Sequence, residues 1–170
     1  RKGDGQTLPH HRAAGGHMVT NDDRELLAAA NETLLDCLRR QGYFEVKSGC
    51  EKGDCGACAV QIDGEAVDSC LTLTWTVEGT SITTLEGLNG THKPHPLITA
   101  FIEQGAVQCG YCTPGIIVAA EAMLRKTPDP TDEDIALALS GNLCRCTGYT
   151  KIFAAIRHAA TVLRECSDND

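Results

Sequence analysis

At 170 residues the chain can build one sizeable core or two small ones, and 42% hydrophobic with 22% charged residues is ordinary for a globular protein. A formal net charge of −8 argues against a nucleic-acid or anionic-membrane partner, and no apolar run approaches the roughly 20 residues that span a bilayer. Ten cysteines, about 6% of the chain, fall below the roughly 8–10% of disulfide scaffolds and lean towards metal or redox chemistry.

The opening stretch RKGDGQTLPHHRAAGG is basic but lacks the apolar segment of a secretory signal. Residues 1–17 are therefore expected to be an extension, and the compartment to be cytoplasmic. His10, His11 and His17 read as a tag remnant or solvated tail. From about residue 18 to 87, strand-like runs alternate with turns around one helix. Thr33 caps LLDCLRRQ, Asp36 stands at the third helical position, and Gly42 closes the helix. Cys37, beside Leu34, Leu35 and Leu38, reads as a buried small apolar residue. AVQIDGEAV (59–67) predicts a hairpin, because Asp63-Gly64 suits a type I′ turn between β-formers. SITTLEG (81–87) predicts another short strand.

GLNGTHKPHP (87–96) reads as a linker, with domain boundaries expected at 18–92 and 93–170. Helical signals follow. Leu97 with Phe101 and Ile98 with Ile102 stand at i,i+4 spacing, and Pro114 opens the largely apolar TPGIIVAAEAMLRK. Thr131 caps TDEDIALALSG, and Ile152, Ile156, Ala159 and Leu163 form one stripe of a last helix. The fold class expected is α+β: a small β-rich domain with one helix, then a bundle of four short helices.

Eight cysteines fall into two groups of four, with Cys37 and Cys166 apart. Cys50, Cys55 and Cys58 in GCEKGDCGAC, with Cys70 beyond the hairpin, have the plant-type [2Fe–2S] spacing C-x4-C-x2-C…C. Gly49, Gly53 and Gly56 let backbone N–H groups approach cluster sulfurs. Zinc prefers paired C-x2-C knuckles and fits this group poorly. Cys109, Cys112, Cys144 and Cys146 form a C-x2-C and a C-x-C pair at helix boundaries. Spacing alone makes this a four-cysteine metal site and leaves iron–sulfur and zinc level.

KSGCEKGDCGACAV, DSCLTL, TTLEG, QCGYCTPGII and GNLCRCTGY, in this order, resemble the iron–sulfur subunit of the molybdenum hydroxylases. This is the xanthine dehydrogenase, aldehyde oxidoreductase and CO dehydrogenase family, and the resemblance covers roughly residues 18 to 160. It implies a plant-type ferredoxin (β-grasp) domain followed by a four-helix domain. It implies that Cys50, Cys55, Cys58 and Cys70 hold a [2Fe–2S] cluster nearer the flavin. Cys109, Cys112, Cys144 and Cys146 would hold a second nearer the molybdenum, with Gln108 and Cys146 against the pterin. In such enzymes a large subunit carries the molybdopterin centre and a medium subunit carries FAD, and the assembly is a heterotrimer or a dimer of heterotrimers. The small subunit passes single electrons between them and is not catalytic alone.

Other residues have plainer readings. Cys166 reads as a surface thiol, Arg145 as a solvated or interface arginine, and Trp75 as core or interface. Lys47 and Lys52 stand where they could soften cluster charge. A free-standing two-cluster ferredoxin and a zinc-stabilised interaction module are the alternative functions. No nucleophile–base pair, purposeful carboxylate pair or phosphate loop is present.

Overall fold

A computed structural model of the chain describes residues 17–21, 24–29, 31–89 and 94–167. The expected extension up to residue 16, with His10 and His11, lies outside the described residues, as do 90–93 of the expected linker. The first half is a five-stranded sheet ordered β2-β1-β5-β3-β4. Strands β1 (His17–Asn21) and β2 (Arg24–Ala28) are antiparallel, and β1 runs parallel to β5 (Ser81–Thr83). Strand β3 (Ala59–Ile62) pairs antiparallel with both β4 (Glu65–Asp68) and β5.

Helix α1 (Leu34–Arg40) packs its buried Leu34, Leu35, Cys37 and Leu38 into a core with Leu26, Val60, Val77 and Ile82. The Thr33 hydroxyl accepts the Asp36 N–H, and Gly42 follows at φ +99°, as the capping signals require. Burial pushes the Cys37 thiol up to about 11, so this cysteine is an inert core residue. Asp63 and Gly64 sit at φ +50° and +86°, the left-handed pair of a type I′ hairpin turn. The strand expected over 81–87 ends at Thr83. The Thr84 side chain accepts the Glu86 N–H and starts the short helix α2 (Leu85–Leu88) instead. Leu85 and Leu88 then pack against the core of the second half, although they precede the expected 92/93 boundary.

The second half contains α3 (Pro96–Glu103), α4 (Thr113–Lys126), α5 (Asp132–Ala138) and α6 (Thr150–Ser167). Its core joins Leu97, Phe101, Ile116, Ile117, Ala120, Ile135, Ile152, Ile156 and Ala159. Thr131 and Asp134 form a full capping box at the start of α5. Ile102, in an i,i+4 pair with Ile98, is 72% exposed, so only part of the predicted α3 pattern faces the core.

The halves meet through buried polar contacts as well as packing. Gln61 on β3 donates from Nε2 to the Val118 carbonyl at 3.1 Å and to Glu121 Oε2 at 2.5 Å, both on α4. Glu121 also accepts from Arg125 at 2.5 Å, so this buried carboxylate is paired on both oxygens.

At the N-terminus of α3, His95 Nδ1 accepts the Leu97 N–H at 3.2 Å. Burial, reinforced by the Arg125 charge and only partly countered by Glu121, holds the imidazole below its usual range. The neutral ring is the form the fold favours. Its contribution to stability is complete above the unfolded value of about 6.5 and is lost as pH falls through the folded one. The urea midpoint of the full chain should therefore drop between pH 7 and 5.5. His95→Asn, which can cap without titrating, should flatten that drop; an unchanged slope would remove His95 from the account.

Candidate metal centres

The first cysteine group stands on a loop between α1 and β3 and on the 3₁₀ turn Ser69–Leu71 after β4. The β3–β4 hairpin pairs Ala59 with Asp68 and so returns Cys70 beside Cys58. The Lys52 and Asp54 N–H groups donate to Cys50 Sγ at 3.4 and 3.3 Å. These backbone donors, with the Cys55 side chain, bring Cys50 down to about 7. Glu51, at φ +55°, is a non-glycine residue held in the left-handed region by this wrapped loop.

Electrostatically the thiols of this group act in twos, Cys50 with Cys55 and Cys58 with Cys70. Burial, and then Cys70 and the Asp68 carboxylate, push Cys58 up to about 12. The Asp68 Oδ1 lies 3.5 Å from Cys58 Sγ, so this carboxylate disfavours negative charge on that sulfur.

The second group follows the same rule. Cys109 and Cys146 Sγ are 3.6 Å apart and exposed, and Cys112 bonds Cys144 behind them. Cys112 is the N-cap residue of α4, while Cys144 and Cys146 stand on the loop before α6. Burial, with Cys144 beside it, pushes Cys112 up to about 12. For Cys144 burial acts upward, but the Thr147 hydroxyl and the N–H groups of Thr147 and Cys146 outweigh it and lower the thiol.

A zinc ion and a binuclear iron centre ask different things of four sulfurs. A tetrahedral zinc with Zn–S bonds of about 2.3 Å needs all four sulfurs mutually within about 3.8 Å. Among the described residues no group of three or more His, Cys, Asp or Glu side chains converges on one such point. Sulfurs gathered two and two fit a binuclear centre, in which each iron takes two thiolates. Thiols pushed up by burial and by each other also need a cationic centre to displace their protons.

Several residues that join the groups went unassigned in the sequence. The Leu143 N–H donates to the Cys55 carbonyl at 2.9 Å, and Asn142 Nδ2 donates to the Gly56 carbonyl at 3.0 Å. The Tyr111 hydroxyl donates to the Ser48 carbonyl at 2.5 Å, tying QCGYC to the first loop. The Tyr149 hydroxyl accepts the Cys144 N–H and donates to the Asn142 carbonyl, each at 2.8 Å. All lie inside or beside the cysteine motifs, which was the available signal. Gln108 is exposed next to exposed Cys109 and Cys146. Lys47 bonds the Phe44 carbonyl through Nζ, and Trp75 is 57% exposed, which places it outside the core.

Two family models cover this chain: a 2Fe-2S iron-sulfur cluster binding domain over residues 18–83 and a [2Fe-2S] binding domain over 84–157. The nicotinate dehydrogenase small FeS subunit of Eubacterium barkeri is 51% identical, over 83% of this chain and 90% of its own. The chain belongs to the iron–sulfur subunits of the molybdenum hydroxylases. A crystal structure of quinoline 2-oxidoreductase from Pseudomonas putida 86 superposes with TM-score 0.83 at 39% identity, covering 88% of this chain and 96% of that one. The aldehyde oxidoreductase from Desulfovibrio desulfuricans gives TM-score 0.84 at 42% identity, covering 89% of this chain but 17% of that chain. The α+β architecture expected for an iron–sulfur subunit, a ferredoxin-like domain followed by a helical one, is the architecture observed. As an iron–sulfur subunit the chain serves electron transfer within a larger oxidoreductase, with larger partner subunits, and its cofactors are [2Fe–2S] clusters. Among the described residues no helix is long and apolar enough to cross a membrane.

Proposed function

We propose that Cys50, Cys55, Cys58 and Cys70 hold one [2Fe–2S] centre and that Cys109, Cys112, Cys144 and Cys146 hold a second. The hairpin register that returns Cys70 beside Cys58, and the 3.6 Å approach of Cys109 and Cys146 Sγ, carry this assignment. When bound, such a centre supplies a one-electron redox couple. The chain's own residues then do three things. Thiolates fix each centre, backbone N–H groups offset its charge, and the Leu143–Cys55 and Asn142–Gly56 hydrogen bonds hold the two loops together across the domain seam.

The partners proposed are a large subunit with the molybdopterin centre and a medium subunit with FAD, in a heterotrimer or a dimer of heterotrimers. Gln108 and Cys146, both exposed beside the second centre, are placed against the pterin. The domain division 1–17, 18–92 and 93–170 belongs to the same proposal. A cytoplasmic setting, where disulfides are rare, fits eight cysteines committed to iron and two left as thiols. Relatives of this module are named for nicotinate, quinoline and aldehyde, so substrate choice is assigned to the large subunit.

Metal analysis and EPR of the anaerobically isolated complex test the assignment. Roughly four irons per chain and two distinct signals in the reduced protein are expected. Zinc in place of iron, or a chain that purifies as an unpartnered monomer, would overturn the centres or the partnership respectively.

A further inference from the structure

The second group contains a contact that the two-centre assignment does not require. Thr147 Oγ1 lies 3.1 Å from Cys144 Sγ. The Tyr149 N–H donates to that same Oγ1 at 3.2 Å, which occupies an acceptor position and leaves the hydroxyl proton free to point elsewhere. A metal-bound thiolate carries no proton, so the threonine must be the donor. We propose that the Thr147 hydroxyl is a positioning and tuning residue, whose O–H···S bond to Cys144 sets the reduction potential of the second centre without touching the first.

The surroundings hold this hydroxyl in place. Tyr149 sits at φ +65°, a conformation rare outside glycine, and its hydroxyl braces both the Cys144 N–H and the Asn142 carbonyl. Its N–H meets Thr147 from the same turn. The threonine is β-branched and therefore stiff at χ1, so the bond to Cys144 costs little further ordering. The strained tyrosine thus serves the hydroxyl's aim as well as the loop's shape.

The two groups are treated differently. In the first, Cys50 receives backbone N–H groups from Lys52 and Asp54, and Cys58 faces the Asp68 carboxylate at 3.5 Å. In the second, Cys144 receives, beside the backbone N–H groups of Thr147 and Cys146, a side-chain hydroxyl, a donor that one substitution removes with the backbone intact. One-electron reduction places additional negative charge on the thiolate sulfurs, and a hydrogen bond to sulfur stabilises that charge. Removing the donor therefore lowers the potential of the second centre.

The inference rests on the two-centre reading. A chain without iron at the second group would refute that reading, whereas a fully loaded chain with an unmoved potential would refute this inference alone. The test is a potentiometric titration of the intact complex followed by EPR, comparing wild type, Thr147→Val and Thr147→Ser. At the ambient potential that half-reduces the second centre of the wild type, valine should lower its reduced-to-oxidised ratio about tenfold, which is 59 mV for a one-electron couple. Serine should restore the ratio to within about twofold, and the first signal should titrate unchanged in all three. Equal potentials in valine and wild type, a shift shared by both signals, or serine behaving as valine would overturn the proposal. Should valine lose the second centre, Thr147→Ala replaces it: a lowered potential supports tuning. Loss of the centre in both, with serine intact, makes the hydroxyl purely structural and overturns tuning.

Discussion

Replacing Cys144 by serine should halve the iron of the purified chain, from roughly four to roughly two, and abolish one of two EPR signals while leaving the other intact. The expectation follows from the proposed assignment of two thiolates to each iron. With Cys109 and Cys146 Sγ 3.6 Å apart and Cys144 acting with Cys112, the proposed assignment would leave one iron with a single cysteine once Cys144 is lost. The first group lies on a separate loop and turn and keeps all four of its cysteines. Its hold on the second group runs through the Leu143 and Asn142 contacts to Cys55 and Gly56, which the substitution leaves in place. The matching change in the first group, Cys58→Ser, should remove the opposite signal. If either substitution erased both signals in a folded chain, the eight cysteines would not divide four and four.

Gly115→Ala should destabilise the chain by roughly 3 kcal/mol, at the upper end of the overpacking range, and lower the thermal midpoint by about 6–12 °C. A Cβ at this position would stand 2.2 Å from the Gly56 carbonyl oxygen, a backbone atom that no rotamer change can move aside. Gly56 cannot yield either. It sits at φ +64°, and the space around it is filled by the Asn142 side chain and the Gly141 carbonyl, at 2.4 and 2.5 Å from its own ideal Cβ. Helix α4 therefore approaches the first loop at backbone distance, three residues after Cys112 and two before Cys58. Separating the halves there would also disturb both cysteine groups, so a broadened EPR spectrum should accompany the stability loss. Gly141→Ala, where a Cβ meets nothing within 4 Å, is the control. Equal midpoints for the two variants would show that the seam is not tightly packed.

Local signals were legible wherever a residue's own neighbours decide its conformation. Thr33 and Thr131 cap the helices they were expected to cap, and Asp63-Gly64 turns the expected hairpin, because capping and left-handed turns are set within a few residues. The boundary after β5 was misjudged for a reason of the same kind. Thr84 can continue a strand or cap a helix, and the packing of Leu85 and Leu88 on the second core selects the cap. Trp75 and Ile102 show the converse, since a large apolar side chain in the text says nothing about which side of a surface it occupies.

The cysteine spacing, with no structure in hand, sorted eight cysteines into two fours and pointed the first four to the plant-type binuclear pattern. Ligand spacing is a local property of the chain, and so it survives in one dimension. How the two fours are joined was decided only in three. The pairing of sulfurs within each group, the Cys55–Leu143 and Gly56–Asn142 bonds, the approach of Gly115 to Gly56 and the aim of Thr147 at Cys144 link residues by packing and hydrogen-bond geometry. Contacts between positions as distant as the 86 residues that separate Asn142 from Gly56 exist only once both cores have closed and set the loops against each other.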